Sequence, residues 1–343
     1  TAVLTPQETK KLFVILNKMK AEGHGVVIIT HKLNEVMEIS DRVTILRGGK
    51  SIDSVFTDQT NVQKLTEMMV GYPVNLSIDK GESPLGKAIL NIHQLSVKNV
   101  EGHYKLRDVN FSLHEGEILG VAGIAGSGQK ELCEAIAGLQ KIDKGSILLD
   151  ERQINGLSPK EIIDKGISMS FIPEDRLGMG LVGSMGMVDN LMLKTYKDEK
   201  GLFMNRKPAK NQAKELIQRL EISTPGIYTP VQKLSGGNVQ KVLLGREIDS
   251  NPRVLITAYP VRGLDINSSH MIYDLLIAQK QLGKAVLYIG EDLDVLIELC
   301  DRILVLCGGE MTAIIDTKFA TKELIGLKMT NAVAATESEE EYA

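Results

Sequence analysis

Residues 117–139 read as a short apolar strand (Glu117 to Ala122), a glycine-rich loop, Gly123-Ile124-Ala125-Gly126-Ser127-Gly128-Gln129-Lys130, and an apolar helix carrying Leu132, Ile136 and Leu139. A buried strand that passes through glycines straight into a helix belongs in a layered α/β arrangement, because strand and helix must bury their apolar sides on one another. The spacing matches the phosphate-loop pattern G-x-x-x-x-G-K-S/T, in the strand-loop-helix context that makes the pattern credible. Glycine geometry turns backbone N–H groups toward an anion whatever the side chains are. The side chains themselves depart from the pattern: Gln129 stands at the lysine position and Lys130 at the Ser/Thr position. The loop therefore lacks both the ammonium for the outer phosphates and the hydroxyl for Mg²⁺. Lys130 lies one residue further along, about 100° around a helix, and is a poor substitute.

The 343 residues leave room for about two domains. Residues 1–50 and 261–310 share one order of elements: a helix (Gln7 to Glu22, with Leu12, Ile15, Leu16 and Met19 on one face), a strand (Val26 to Thr30), a helix (Leu33 to Ile39), a strand (Arg42 to Leu46) and a Gly48-Gly49 turn. At a constant offset Gly23 falls on Gly283, Val26 on Val286, Leu33 on Leu293, Asp41-Arg42 on Asp301-Arg302 and Gly48-Gly49 on Gly308-Gly309. An ungapped match of this length reads as an internal duplication. Whatever the second copy holds between about Ile89 and Pro260 has no counterpart before Thr1, so the chain reads as a fragment opening inside its first domain. The expected organisation is the tail of a first domain (1–71), a Pro- and Gly-bearing linker (72–88), a second domain (89–330) with an inserted helical part at about 175–232, and a disordered acidic tail (331–343). Unpaired sheet edges are expected in 1–71. Met179, Met185, Met187, Met192 and Met204 suggest mobile packing surface or contact with a partner helix.

A balance of 40 basic and 44 acidic residues argues against a nucleic-acid partner. Cys133, Cys300 and Cys307 have no paired spacing and no histidine cluster beside them, which suggests neither a disulfide framework nor a metal site and fits a reducing cytoplasm. No apolar run approaches the ~18 residues of a membrane span, so a soluble or peripheral protein is expected.

Leu234 to Lys241 reads L-S-G-G-N-V-Q-K, between a loop holding Pro225 and Pro230 and a helix-like run, Val239 to Ile248. A serine and two glycines at a helix start make an anion site, since the first-turn N–H groups have no partner within the helix and lie at its positive end. The string, with the N-P-x-V-L-I strand that follows, resembles the signature motif of ATP-binding cassette (ABC) ATPases. The resemblance runs from Thr1 to about Met329 and points to importer subunits with two fused cassettes, of the simple-sugar and nucleoside type. The Gln-for-Lys loop, Ala258-x-Pro260, Ile172 to Arg176 and Arg262-Gly263-Leu264-Asp265 look most like the second cassette of the nucleoside branch.

That resemblance implies an α/β P-loop NTPase (RecA-like) fold with a small antiparallel β subdomain, placed at Ile89 to Val97 and Val109 to Leu113, and an inserted helical subdomain. It implies that Ser235, Gly236, Gly237 and Gln240 close over ATP held by the other cassette, with Asp265 nearby, and that Gly123, Gly126, Ser127, Gly128, Gln129 and Lys130 line the second site. Ala258 and Tyr259 stand where the family has the metal-orienting and water-polarising carboxylates, Glu174 where it has the Q-loop glutamine, and Glu291 where it has the switch histidine. An ionised Glu291 ~5 Å from a phosphate charge would repel it by ~3 kcal/mol at an effective dielectric near 20. His31 falls opposite Glu291 and becomes the catalytic candidate of the first site, while Thr1 to Thr5 resembles the D-loop. His24 carries no such alignment; Tyr104 and His103 are candidate adenine-stacking residues.

The expected function is an ATP- and Mg²⁺-dependent import subunit at the cytoplasmic membrane face, working with two transmembrane permease subunits and an extracytoplasmic solute-binding protein. Its first site would turn over and its second bind nucleotide weakly; the fragment alone would be inactive. A soluble ABC protein outside transport and a binding-only regulatory module are the alternatives.

Overall fold

The computed structural model describes residues 6–30, 32–71, 77–81, 84–171, 176–196 and 204–330. His31, Glu174, Thr1 to Thr5 and the acidic tail lie outside them. The chain divides into two compact units, Thr1–Ser77 with Gly263–His270, and Ile78–Arg262 with Met271–Ala343.

The first unit runs α1 (Pro6–Ala21), α2 (Leu33–Ile39), β1 (Arg42–Arg47), β2 (Lys50–Phe56) and α3 (Val62–Val70). Asn61 caps α3 by accepting from the N–H of Lys64, and Gly71 ends it in a left-handed conformation. β1 and β2 form an antiparallel hairpin, and Leu33, Val36, Ile45 and Leu65 make a small core. Two expectations fail. Residues 26–30 form no strand, and Val27 and Ile29 are exposed. Apolar sequence alone does not make a strand: the backbone groups need a neighbouring ladder, and β1 pairs only with β2 among the described residues. On α1 the buried position is Phe13, while Ile15 and Met19 are exposed, because a helix covering so thin a layer buries only a narrow stripe.

The second unit begins with β3 (Ala88–Lys98), β4 (Tyr104–His114), β5 (Ile118–Gly123), α4 (Gln129–Ile136), β6 (Ile142–Leu149), β7 (Arg152–Gln153), α5 (Pro159–Asp164) and β8 (Ile167–Phe171). It continues through α6 (Arg176–Met179), α7 (Met187–Thr195), α8 (Lys207–Arg219), α9 (Gly236–Asp249), β9 (Val254–Ala258), the part of α10 (Ile266–Gln281) from Met271 onward, β10 (Ala285–Ile289), α11 (Leu293–Leu299), β11 (Arg302–Cys307), β12 (Glu310–Asp316) and α12 (Lys322–Thr330). The main sheet has the order β12-β11-β5-β10-β9-β8, parallel except for β12. β9 and β10 are buried along their whole length, and β5 and β11 but for their ends. Strands covered on both faces read as continuous apolar runs for this reason. A second sheet, β4-β3-β6-β7, is antiparallel.

α7, α8 and the start of α9 hold a separate core that includes Leu181, Leu191, Ala213, Leu216 and Val242. Met187 and Met192 are buried in it, contrary to the expectation of a methionine surface; Met179, Met185 and Met204 are exposed. Among the described residues no helix is long and apolar enough to cross a membrane.

One buried ion pair ties the two sheets together. Glu117, fully buried just before β5, accepts from Arg302 Nε at 2.7 Å and from the His114 N–H at 2.7 Å, while Arg302 also donates to the Ser112 carbonyl. Removing one member leaves the other charge buried and uncompensated, which costs about 3–5 kcal/mol. Glu117→Gln is therefore expected to lower the urea midpoint of the second unit by that equivalent without changing the slope. A shift no larger than that of an exposed substitution such as Glu101→Gln would refute this role for the pair.

Candidate functional site

Three loops leave the carboxyl ends of neighbouring parallel strands, β5, β10 and β9, and this edge of an open α/β sheet is where ligands sit. The first is the glycine loop. Gly126 and Gly128 have φ of +88° and +104°. A Cβ on Gly128 would lie 2.8 Å from the Lys105 carbonyl oxygen, so only glycine fits this point. The backbone part of a phosphate cradle is thus intact.

Its interior is not open. Gln129 is buried and donates from Nε2 to the Ile124 carbonyl at 3.2 Å, and the same amide nitrogen lies 2.5 Å from where a Cβ on Gly123 would be. The side chain at the lysine position is folded across the loop that it ought to serve. Ser127 is buried within the loop as well, its N–H bonded to the Ile124 carbonyl. Lys130 points away, exposed, 3.7 Å from Glu134 one turn along α4.

The loop after β9 begins with Ala258, buried in the sheet, and Tyr259, held at φ +52° with its N–H on the Ile289 carbonyl. Burial pushes the Tyr259 hydroxyl up to about 12, with the Glu291 carboxylate adding to the shift. The loop after β10 carries Glu291. The Arg262 guanidinium lies 3.4 Å from that carboxylate and 5.9 Å from the centre of the Tyr259 ring. Glu291 therefore has a cation beside it where the sequence suggested a bare charge. The residues here offer no hydroxyl at position 130 and no carboxylate at 258 or 259, so they do not fit a magnesium ion. Among the described residues no group of three or more histidine, cysteine or acidic side chains could hold a metal.

The signature segment is built differently. Ser235 takes the N-cap position of α9 but caps nothing: its Oγ accepts from Asn238 Nδ2 at 2.8 Å, leaving the first-turn N–H groups to face outward. Ser235 and Gly236 are exposed and Gly237 half-buried. Gln240 is a correction. It is fully buried with both amide atoms unpaired, because four residues into the helix the chain has turned to its inner face. Asp265 caps α10, accepting from the Ser268 N–H at 3.0 Å and from its hydroxyl at 2.8 Å.

Of the two candidates for stacking on a base, Tyr104 has Lys98 Nζ 4.6 Å and the Arg107 guanidinium 5.3 Å from its ring centre, and His103 is exposed beside Glu101. Sequence reasoning missed the pairing of Arg262 with Glu291. Its signal was present as an opposite-charge pair in the loops after two adjacent strands.

Residues 106–260 match the family model described as ABC transporter. The chain is 39% identical over 333 residues to the nucleoside import ATP-binding protein NupA of Lactococcus lactis, and 40% over 332 residues to the guanosine import ATP-binding protein NupO of Bacillus subtilis. Both matches span 96% of this chain and 65% of the relative. A ribose import ATP-binding protein, RbsA of Clostridium tetani, is 35% identical over 95% of this chain and 63% of its own length. The chain thus spans a little under two thirds of the curated relatives that it matches. Among solved structures, the dimeric bacterial ABC transporter cassette MJ0796 aligns at a TM-score of 0.59 and 23% identity, covering 67% of this chain and 99% of that one. The ADP conformation of MJ1267, another such cassette, aligns at 0.57 and 22%, covering 71% and 95%. Over residues 106–260 the second unit matches the ABC transporter family model, and it has the fold of the ATP-binding cassettes to which it aligns.

Proposed function

We propose that this chain is the larger part of the ATP-binding subunit of an importer for nucleosides or simple sugars, in which two cassettes share the work unequally. The identity of 39–40% to two nucleoside-import subunits, running along 96% of the chain, carries this reading. The second cassette supplies Ser235, Gly236 and Gly237 to a nucleotide held by the first, where His31 is the candidate for the γ-phosphate and attacking water. Its own loop keeps the glycine cradle and has lost its chemistry at Gln129, Lys130, Ala258, Tyr259 and Glu291, so that nucleotide there is bound weakly and not turned over. ATP with Mg²⁺ is the fuel of the first site. Two transmembrane permeases and an extracytoplasmic solute-binding protein complete the assembly, with the subunit peripheral on the cytoplasmic face. Exposed Met179, Met185 and Tyr228 in the helical part suit contact with a permease.

Two measurements test the division of labour. A carboxylate placed at the signature end of α9 by Gly236→Asp would meet a phosphate charge at ~5 Å, an opposition of ~3 kcal/mol or about a hundredfold. ATPase of the assembled transporter is expected to fall by that factor while the melting temperature of the second unit stays in place; unchanged turnover would sink the cross-cassette role. In the other site, Gln129→Lys with Lys130→Ser is expected to tighten binding of a fluorescent ATP analogue to the second cassette at least tenfold. It should add no hydrolysis, because Ala258 and Tyr259 still lack carboxylates. Equal affinity before and after would show that those side chains do not limit the site.

A further inference from the structure

We propose that α8 and the chain entering it form a cationic face that lies on anionic lipid headgroups, with Lys207, Lys210 and Lys214 as its contact residues. The proposal rests on the reading of the chain as a subunit at the membrane and names the part of it that meets lipid. Its first ground is the distribution of charge. Residues 176–234, which hold the helical part, carry ten basic and five acidic residues, while the remainder of the chain carries 30 and 39. A molecule of net charge −4 is repelled as a whole by an anionic surface, so attraction has to come from a local excess of this kind.

α8 concentrates the excess. Between Met204 and Arg219 stand Arg206, Lys207, Lys210, Lys214 and Arg219 against one acidic residue, Glu215, which itself lies 3.9 Å from Arg219. Ala209, Ala213 and Leu216 turn one side of the helix into the core of the helical part. Lys207, Lys210 and Lys214 follow the spacing i, i+3, i+7 and share another side, a stripe about 10 Å long. The arginines are engaged: Arg206 pairs with Asp189, and Arg219 with Asp249 at 2.5 Å. The three lysines make no ion pair among the described residues.

Their placement does not serve the helix. Lys207 is the first residue of α8, Arg206 holds the N-cap position, and the first turn has no acidic residue. Cations at the positive end of a helix oppose its dipole, so the stability of α8 favours other residues there. The residue type points to the occupant. A carboxylate on a protein partner is gripped best by a guanidinium, through two parallel hydrogen bonds, whereas a lysine ammonium is a point charge on a flexible stem that needs no fixed geometry. Apolar groups border the stripe. Met204, 66% exposed, precedes the helix, and Tyr228, 53% exposed, has Lys210 Nζ 5.7 Å from its ring centre. Lysine stems beside an aromatic ring and an exposed methionine suit the headgroup level of a bilayer. Tyr228 also joins the stripe to the surface that suits a permease: Gly186, next to Met185, packs so closely on the Tyr228 backbone that a Cβ there would lie 2.8 Å from Tyr228 Cα. A subunit that meets a permease at Met185 brings the neighbouring stripe toward the bilayer around it.

Cosedimentation of the whole chain with lipid vesicles tests the face. Vesicles of phosphatidylcholine with about one third phosphatidylglycerol are expected to bind the chain about tenfold or more tightly than phosphatidylcholine alone, and about 0.5 M salt should release it, since screening then acts within a few ångström. Lys207→Glu, Lys210→Glu and Lys214→Glu together should weaken binding about a hundredfold. The melting temperature should not fall with them, because a glutamate at position 207 suits the start of a helix. The same change at Lys144, Lys160 and Lys165, exposed lysines elsewhere in the second unit, removes as much charge and should cost about tenfold less of the binding. Equal affinity for the two kinds of vesicle, or an equal loss in the two triple variants, overturns the proposal. So does binding to a poly-glutamate peptide that phosphatidylglycerol vesicles do not displace, which would give the face to an acidic protein segment. Neither nucleotide nor permease enters the measurement, so its failure leaves the ATPase tests of the importer reading standing, and failure of those tests leaves the vesicle result standing.

Discussion

An interior parallel strand must find hydrogen-bond partners along both edges, and β5 is the strand on which the second unit depends. It lies between β10 and β11, starts at the buried Glu117 held by Arg302, and ends at Gly123 in the glycine loop. Remove it and β10 and β11 would each lose a ladder, while Asp301 and Arg302 would lose their partners. The repeat offers a comparison within one molecule. Residues 26–30 are as apolar as β10 but form no strand, and β1 is mostly exposed where β11 is buried. Helices survive the same comparison, since their hydrogen bonds are internal. A duplicated sequence therefore yields duplicated helices and a duplicated hairpin, but not a duplicated sheet.

The same separation between what the backbone does and what side chains do is visible in the glycine loop and the loops beside it. The positive φ of Gly126 and Gly128 preserves the shape of the cradle. The side chains around it are held by local partners: Gln129 by the Ile124 carbonyl, Glu291 by Arg262, Lys130 by Glu134. A loop whose side chains are paired in this way keeps its fold without needing a ligand to neutralise it.

Most of the fold was legible from the residues because apolar runs, glycine turns and the constant offset each carry a period or a spacing. The strand-loop-helix at 117–139 and the antiparallel pair at 88–114 stand where the pattern put them. What failed was whatever depends on a neighbour. Residues 26–30 carry a strand pattern without a ladder, and Gln240 sits within a surface motif yet faces inward. Met187 and Met192 look like surface plasticity in sequence and are core. The Arg262 and Glu291 pair was missed because it joins loops 29 residues apart, and the opposite charges become a signal only once the sheet order β10-β9 is known. His31 and Glu174 lie outside the described residues, so their roles rest on alignment with the repeat and on family likeness.

The two ends of α9 show how one helix can be both anchor and contact. An N-cap serine ordinarily spends its oxygen on the N–H groups of the first turn. Ser235 does not; Asn238 engages it instead, and those donors keep their outward aim and the dipole behind them. Further along, Val239 to Glu247 is buried without a break. Glu247 receives Lys194 at 2.8 Å and Arg246 at 3.0 Å, and Arg246 reaches the Gly180 carbonyl. The buried charges tie α9 to α7 and to the loop after α6, so the helix cannot slide or rotate without breaking paired ions in a low dielectric. Rigidity of this kind fixes where the first-turn donors of α9 point, which no single side chain of that turn could do alone.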